Sequence, residues 1–179
     1  MAHIVLVTGG TRSGKSAYAQ KRAEALPGPR CFLATCRPTD AEMKKRISKH
    51  RAQRETENWD TIEEPLSIGS CVEKSQQYKV FLIDCLTLWI TNLMDEYQKS
   101  GKKCTESSFA DAAERLLQQL QYTDATVFLV TNEVGLSIVP ENKVARLFRD
   151  LVGLCNQIIA SRADEVVLVS CGLPLYLKK

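Results

Sequence analysis

The sequence predicts an α/β fold, a mostly parallel sheet with helices on both faces. Two features of the 179-residue chain carry that expectation. Short, continuous apolar runs alternate with longer helical patterns, as in a sheet built from strand–helix units. The first apolar run, IVLV at 4–7, passes straight into a glycine-rich turn and then a helix-forming stretch. A run of that kind suits a strand buried on both faces.

Taken in order, the apolar runs place strands at 4–7, 31–35, 79–84, 126–130 and 165–170, with a candidate edge strand in PLYLK at 174–178. Helical patterns fall between them at 15–26, 40–55, 65–76, 86–99, 106–121 and 142–161. Pro27 and Gly28 stop the first helix. The most polar stretch, 96–108, reads as a surface loop. There is no internal repeat and no Pro/Ser-rich linker, so residues 1–179 are expected to form a single domain.

The turn after the first strand is the most informative local feature. Gly9, Gly10, Thr11, Arg12, Ser13, Gly14, Lys15 and Ser16 have the spacing of a P-loop. In that device loop amides and a helix N-terminus cradle phosphates, the lysine reaches the β and γ groups, and the hydroxyl holds Mg²⁺. The fold expected is therefore P-loop NTPase-like, and a glycine-rich turn without nucleotide is the bland alternative. In such sheets ligands sit beyond the carboxyl ends of the strands. The residues there are Thr35 and Cys36, Asp84, and Thr131, Asn132 and Glu133. Asp84 is a candidate to order Mg²⁺ or its waters, or else to cap the helix that follows. Glu133 is a further acid, either near the nucleotide or bracing its own loop.

Composition narrows the class. The net charge of +3 argues neither for a nucleic-acid binder nor for a membrane-surface protein, and no apolar stretch reaches the length of a membrane span. A cytoplasmic protein is expected. Seven cysteines, an odd number without a C-x-x-C pair, indicate free thiols in a reducing compartment.

The second informative stretch is DAEMKKRISKHRAQRE at 40–55. Between Lys44 and Arg54 it holds six Lys or Arg residues and His50 without an acid. At helical spacing Arg46, His50 and Arg54 share one side. A solvated basic face is the bland reading. In the sharper one, the neighbouring cations disfavour the imidazolium, and a neutral His50 attacks phosphorus and carries a phosphoryl or nucleotidyl group covalently.

Together VTGGTRSGKS (7–16), ATC (34–36), the basic stretch with His50, WDTIEEP (59–65), DCLTLWITNLM (84–94) and the block from VTNEVG to LCNQ (130–157) resemble one family nearly end to end. It is the bifunctional adenosylcobinamide kinase and adenosylcobinamide-phosphate guanylyltransferase family of cobalamin biosynthesis. The resemblance implies two reactions. ATP or GTP phosphorylates the aminopropanol hydroxyl of adenosylcobinamide, then GMP passes from GTP to that phosphate, giving adenosylcobinamide-GDP and pyrophosphate.

It also implies that His50 becomes guanylylated, and that Lys15, Ser16 and the amides of 9–14 hold phosphate. Ala34, Thr35, Cys36, Arg51, Ala52, Gln53, Arg54, Glu63 and Asp84 are implied to surround the nucleotide. Cys36 stands where the family more often has Ala or Ser. A homotrimer and a movement of segment 36–55 on GTP binding are expected on the same footing, with small-molecule partners and no nucleic acid. Two other readings remain: a P-loop kinase or NTPase in which His50 is incidental, and a GTP-binding regulatory module.

Overall fold

The computed structural model describes residues 1–37 and 58–179. Seven strands form one sheet: β1 (His3–Thr8), β2 (Arg30–Ala34), β3 (Trp59–Glu63), β4 (Val80–Asp84), β5 (Thr126–Val130), β6 (Glu165–Ser170) and β7 (Leu173–Lys178). Their spatial order is β3-β2-β4-β5-β1-β6-β7. All neighbours are parallel except β6 and β7. The described helices are α1 (Lys15–Glu24), α2 (Ile68–Lys74), α3 (Leu86–Lys99), α4 (Glu106–Leu120) and α5 (Lys143–Arg162).

Alternation along the central strands divides the core in two, because successive side chains leave a strand on opposite faces. Ile4, Leu6, Phe81, Ile83, Val127 and Leu129 pack on the side covered by α2 to α5. Val5, Val7, Leu82, Phe128 and Val130 pack on the other, where α1 contributes Ala19 and Ala23. Helices thus lie on both faces, as expected, but unequally among the described residues. The small residues of α1 let it sit close to the sheet, which brings the P-loop at its start directly over the strand ends.

Several boundaries differ from the sequence reading. β3 was not anticipated, because WDTIE lacks an apolar run: only Trp59 of its five residues is buried. It is an edge strand fixed by pairing with β2. The polar stretch 96–108 is mostly helical. Residues 96–99 finish α3 and 106–108 begin α4, with Thr105 and Ser108 forming a capping box that starts α4. The expected helix at 40–55 lies outside the described residues, as do His50 and Arg51 to Arg54. Cys31 and Cys155 behave as core residues, burial pushing each thiol up to about 12.

Candidate functional site

Register brings the rim together. Glu63 pairs with Ala34, Ala34 with Asp84, Asp84 with Val130, and Val130 with Val7, so the ends of five strands stand level. Gly9 to Ser16 follow directly above β1. Strands lie about 4.8 Å apart, which puts Asp84 roughly 10 Å and Glu63 roughly 19 Å from β1 along this row. The sequence-predicted residues therefore form one continuous rim with two ends. The P-loop lies at one end, over β1, and Ala34, Cys36 and Glu63 toward the other.

The P-loop is held from three directions. Ser13 N–H donates to the Gly10 carbonyl at 3.2 Å, Gly172 N–H to the Ser13 carbonyl at 2.8 Å, and Glu133 N–H to the Gly9 carbonyl at 3.0 Å. Gly9 is obligatory for close approach: a methyl there would stand 2.6 Å from Ser13 Oγ and would also run into the Val169 carbonyl oxygen. Gly14 has φ of 92°, a left-handed conformation that favours glycine. It caps α1 without a side-chain hydrogen bond, so the first amides of α1 have no side chain across them. This is the arrangement that receives phosphate. Lys15 Nζ folds back on the Gly10 carbonyl at 3.2 Å, Ser16 is exposed, and Arg12 sits exposed at φ of 57°.

At the end of β4 the backbone is locked by Thr35. Its hydroxyl donates to the Cys85 carbonyl and accepts from Cys85 N–H, both at 2.8 Å. Thr35 is fully buried, so its hydroxyl serves this latch. Asp84 is half-buried. The N-cap of α3 is Cys85, without a side-chain cap bond of its own. Asn92 of α3 donates to the carbonyls of Thr35 and Pro65 at 2.8 and 3.0 Å, tying the loops after β2 and β3 to α3.

Sequence reasoning missed the network beside this latch. Asn132 Nδ2 donates to Thr87 Oγ1 at 3.0 Å, Asn156 Nδ2 to the Asn132 carbonyl at 3.2 Å, and Thr131 Oγ1 to Asn156 Oδ1 at 2.8 Å. Thr87 and Asn156 are helical residues distant in sequence from Asn132, and only the polar character of the strand ends hinted at it. The network fixes the exit of β5, and with it Glu133, whose Oε1 accepts from Gly135 N–H at 3.2 Å. Glu133 thus braces its loop while standing against the P-loop. Among the described residues no group of three or more His, Cys, Asp or Glu side chains could hold a metal by itself. No described helix is long and apolar enough to cross a membrane.

Comparison with known proteins bears on the fold and the family. An ATPase from the type III secretion system of pathogenic bacteria has the same fold, with a TM-score of 0.61 at 12% identity over 97% of this chain. The present chain spans 56% of that ATPase chain, and the likeness concerns the fold alone. The bifunctional adenosylcobalamin biosynthesis protein CobP of Pseudomonas aeruginosa is 36% identical over 177 residues, covering 97% of this chain and 96% of the relative. The proteins named CobU of Escherichia coli and Salmonella typhimurium, described in the same words, are each 37% identical over 185 residues, covering 98% of this chain and 99% of the relative. Residues 5–177 match the family model described as cobinamide kinase / cobinamide phosphate guanyltransferase. With a P-loop set on a parallel sheet and relatives matched along nearly their whole length, the chain belongs to the cobinamide kinase / cobinamide phosphate guanyltransferase family.

Proposed function

We propose that residues 1–179 form one domain that carries out both reactions of the family, the second through a guanylylated His50. The observation that carries the nucleotide site is the uncapped start of α1 behind Gly14, with Lys15 and Ser16 beside it. Gly9 to Ser16 bind the triphosphate. Lys15 balances charge that builds on the transferred phosphoryl group, and in-line attack by the aminopropanol hydroxyl expels the nucleoside diphosphate.

Ser16 and Asp84 suit Mg²⁺. A hydroxyl and a strand-end carboxylate are hard oxygen donors, and Mg²⁺ normally completes its shell with water and phosphate, so no all-protein cage is needed. When bound, the ion neutralises phosphate charge. In the second step neutral His50 attacks the α-phosphorus of GTP, releasing pyrophosphate, and the cobinamide phosphate oxygen then displaces the imidazole. Arg51 to Arg54 flank that nucleotide, with Ala34, Cys36 and Glu63 at the outer rim and Thr35 holding the strand ends. The separation of this outer rim from the P-loop suits two reactions that need different phosphorus atoms.

Small molecules are the partners, without nucleic acid. Cytoplasmic residence suits seven free cysteines. A homotrimer has a surface to use in β7, an edge strand with Leu173, Leu175 and Leu177 exposed.

The deciding experiment incubates the protein and a His50→Ala variant with Mg²⁺ and GTP labelled at the α or the γ phosphate. Acid-labile, base-stable label from the α position only, absent from the variant, establishes the guanylyl-histidine. GTP binding without retained α label removes the covalent step and leaves a plain kinase.

A further inference from the structure

Over the P-loop lies a cleft of about 660 Å³ between the P-loop, the loop after β5 and the β6–β7 turn. Its floor includes Ser13, whose Oγ is buried without a hydrogen-bond partner among the described residues. Glu133 lines one wall, anchored by its N–H to Gly9 and by its carboxylate to Gly135 N–H. The outer lip is apolar and open: Leu136 is 84% exposed, and Ile138 and Val139 continue the same loop, also exposed. Charge argues about the occupant. A fixed carboxylate against the P-loop repels further phosphate, whereas it welcomes a hydroxyl donor. An apolar lip beside polar groups also suits a bulky ring system that carries amide side chains.

Resting on the kinase reading above, we propose that this cleft is the acceptor site: it receives the aminopropanol arm of cobinamide, with the corrin edge on Leu136, Ile138 and Val139, and Glu133 takes the proton of the attacking hydroxyl. The hydroxyl oxygen forms a bond to the γ-phosphorus as the bond from that phosphorus to the β–γ bridging oxygen breaks. The nucleoside diphosphate leaves with the bond's electron pair, and the hydroxyl proton passes to the Glu133 carboxylate and on to water.

The test has two readouts. In the first, Glu133→Gln is expected to lower kcat for cobinamide phosphorylation about a hundredfold, with the KM for cobinamide changed only a few-fold and partial recovery in Glu133→Asp. Leu136→Asp and Ile138→Asp, exposed and harmless to folding, are expected to raise that KM about tenfold. In the second, exposed Cys171, which also lines the cleft, is alkylated and followed by peptide mass spectrometry. Adenosylcobinamide, alone or over a saturating non-hydrolysable GTP analogue, is expected to slow alkylation at least fivefold beyond the analogue by itself. If it adds no protection in either state while the unmodified protein phosphorylates cobinamide, the acceptor lies elsewhere and the cleft assignment is overturned. A Glu133→Gln variant with full kcat removes the proton-accepting role. Absence of cobinamide phosphorylation by the unmodified protein is a different failure, that of the kinase reading itself.

Discussion

Thr35 and Cys85 exchange two hydrogen bonds of 2.8 Å between the ends of β2 and β4, with one hydroxyl serving as donor and acceptor. Both residues are buried, so neither bond can be replaced by water. Thr35→Val keeps the shape but leaves the Cys85 N–H and carbonyl without these partners. Unpaired buried groups of this kind cost about 1–3 kcal/mol each. We expect a loss of about 2–4 kcal/mol in urea unfolding, with a weaker Mg²⁺ response in the kinase assay because Asp84 precedes the latch. A variant as stable as the parent would show that the strand ends are held by packing alone.

Gly9 and Gly10 are neighbours with opposite expectations. A methyl at Gly9 meets Val169 and Ser13, whereas one at Gly10 meets no atom within 4 Å. Gly9→Ala must displace either the P-loop or β6, at a cost of about 1–3 kcal/mol. We expect it to weaken GTP binding at least tenfold by calorimetry, while Gly10→Ala melts like the parent. Equal behaviour of the two variants would mean that the loop moves freely past β6.

These two cases show what was legible in the sequence. The P-loop was readable because its chemistry is local: strand, glycine spacing, lysine and helix follow one another within residues 4–26. The central strands were readable because burial on both faces leaves continuous apolar runs. β3 was not, since an edge strand with one buried residue draws its identity from pairing with β2. Thr87, Asn132 and Asn156 were equally hidden as a group, for their meeting depends on how α3, β5 and α5 converge. Thr35 follows the second apolar run in the sequence, but only the fold shows that its hydroxyl faces inward to Cys85.

Lys15 Nζ donates to the Gly10 carbonyl at 3.2 Å, at the start of α1. Lys15→Ala removes the cation while leaving the α1 amides in place. We expect kcat for cobinamide phosphorylation to fall about 10²–10³-fold, with a smaller loss in nucleotide affinity, read by single-turnover transfer of γ-labelled phosphate. A loss of nucleotide affinity with kcat unchanged would assign Lys15 to uniform binding and leave transition-state stabilisation to other groups.

Glu165, at the start of β6, is gripped by Arg22 of α1 at 2.7 and 3.2 Å and by His3 at 3.1 Å. The Arg22 hydrogen bonds, with a smaller contribution from His3, hold its carboxyl down to about 2. An unfolded glutamate titrates near 4.3. Because the folded value is the lower one, the stabilisation is fully present above the unfolded pKa and is lost as pH falls towards the folded one. The pair is partly solvated, so screening reduces its worth to about 1 kcal/mol. We therefore expect Glu165→Gln to lower stability by about that amount at pH 7. The unfolding free energies of the two proteins should converge between about pH 4.5 and pH 2. A difference that persists unchanged to low pH would mean that Glu165 holds α1 against β6 through shape and neutral hydrogen bonds, with its charge contributing nothing.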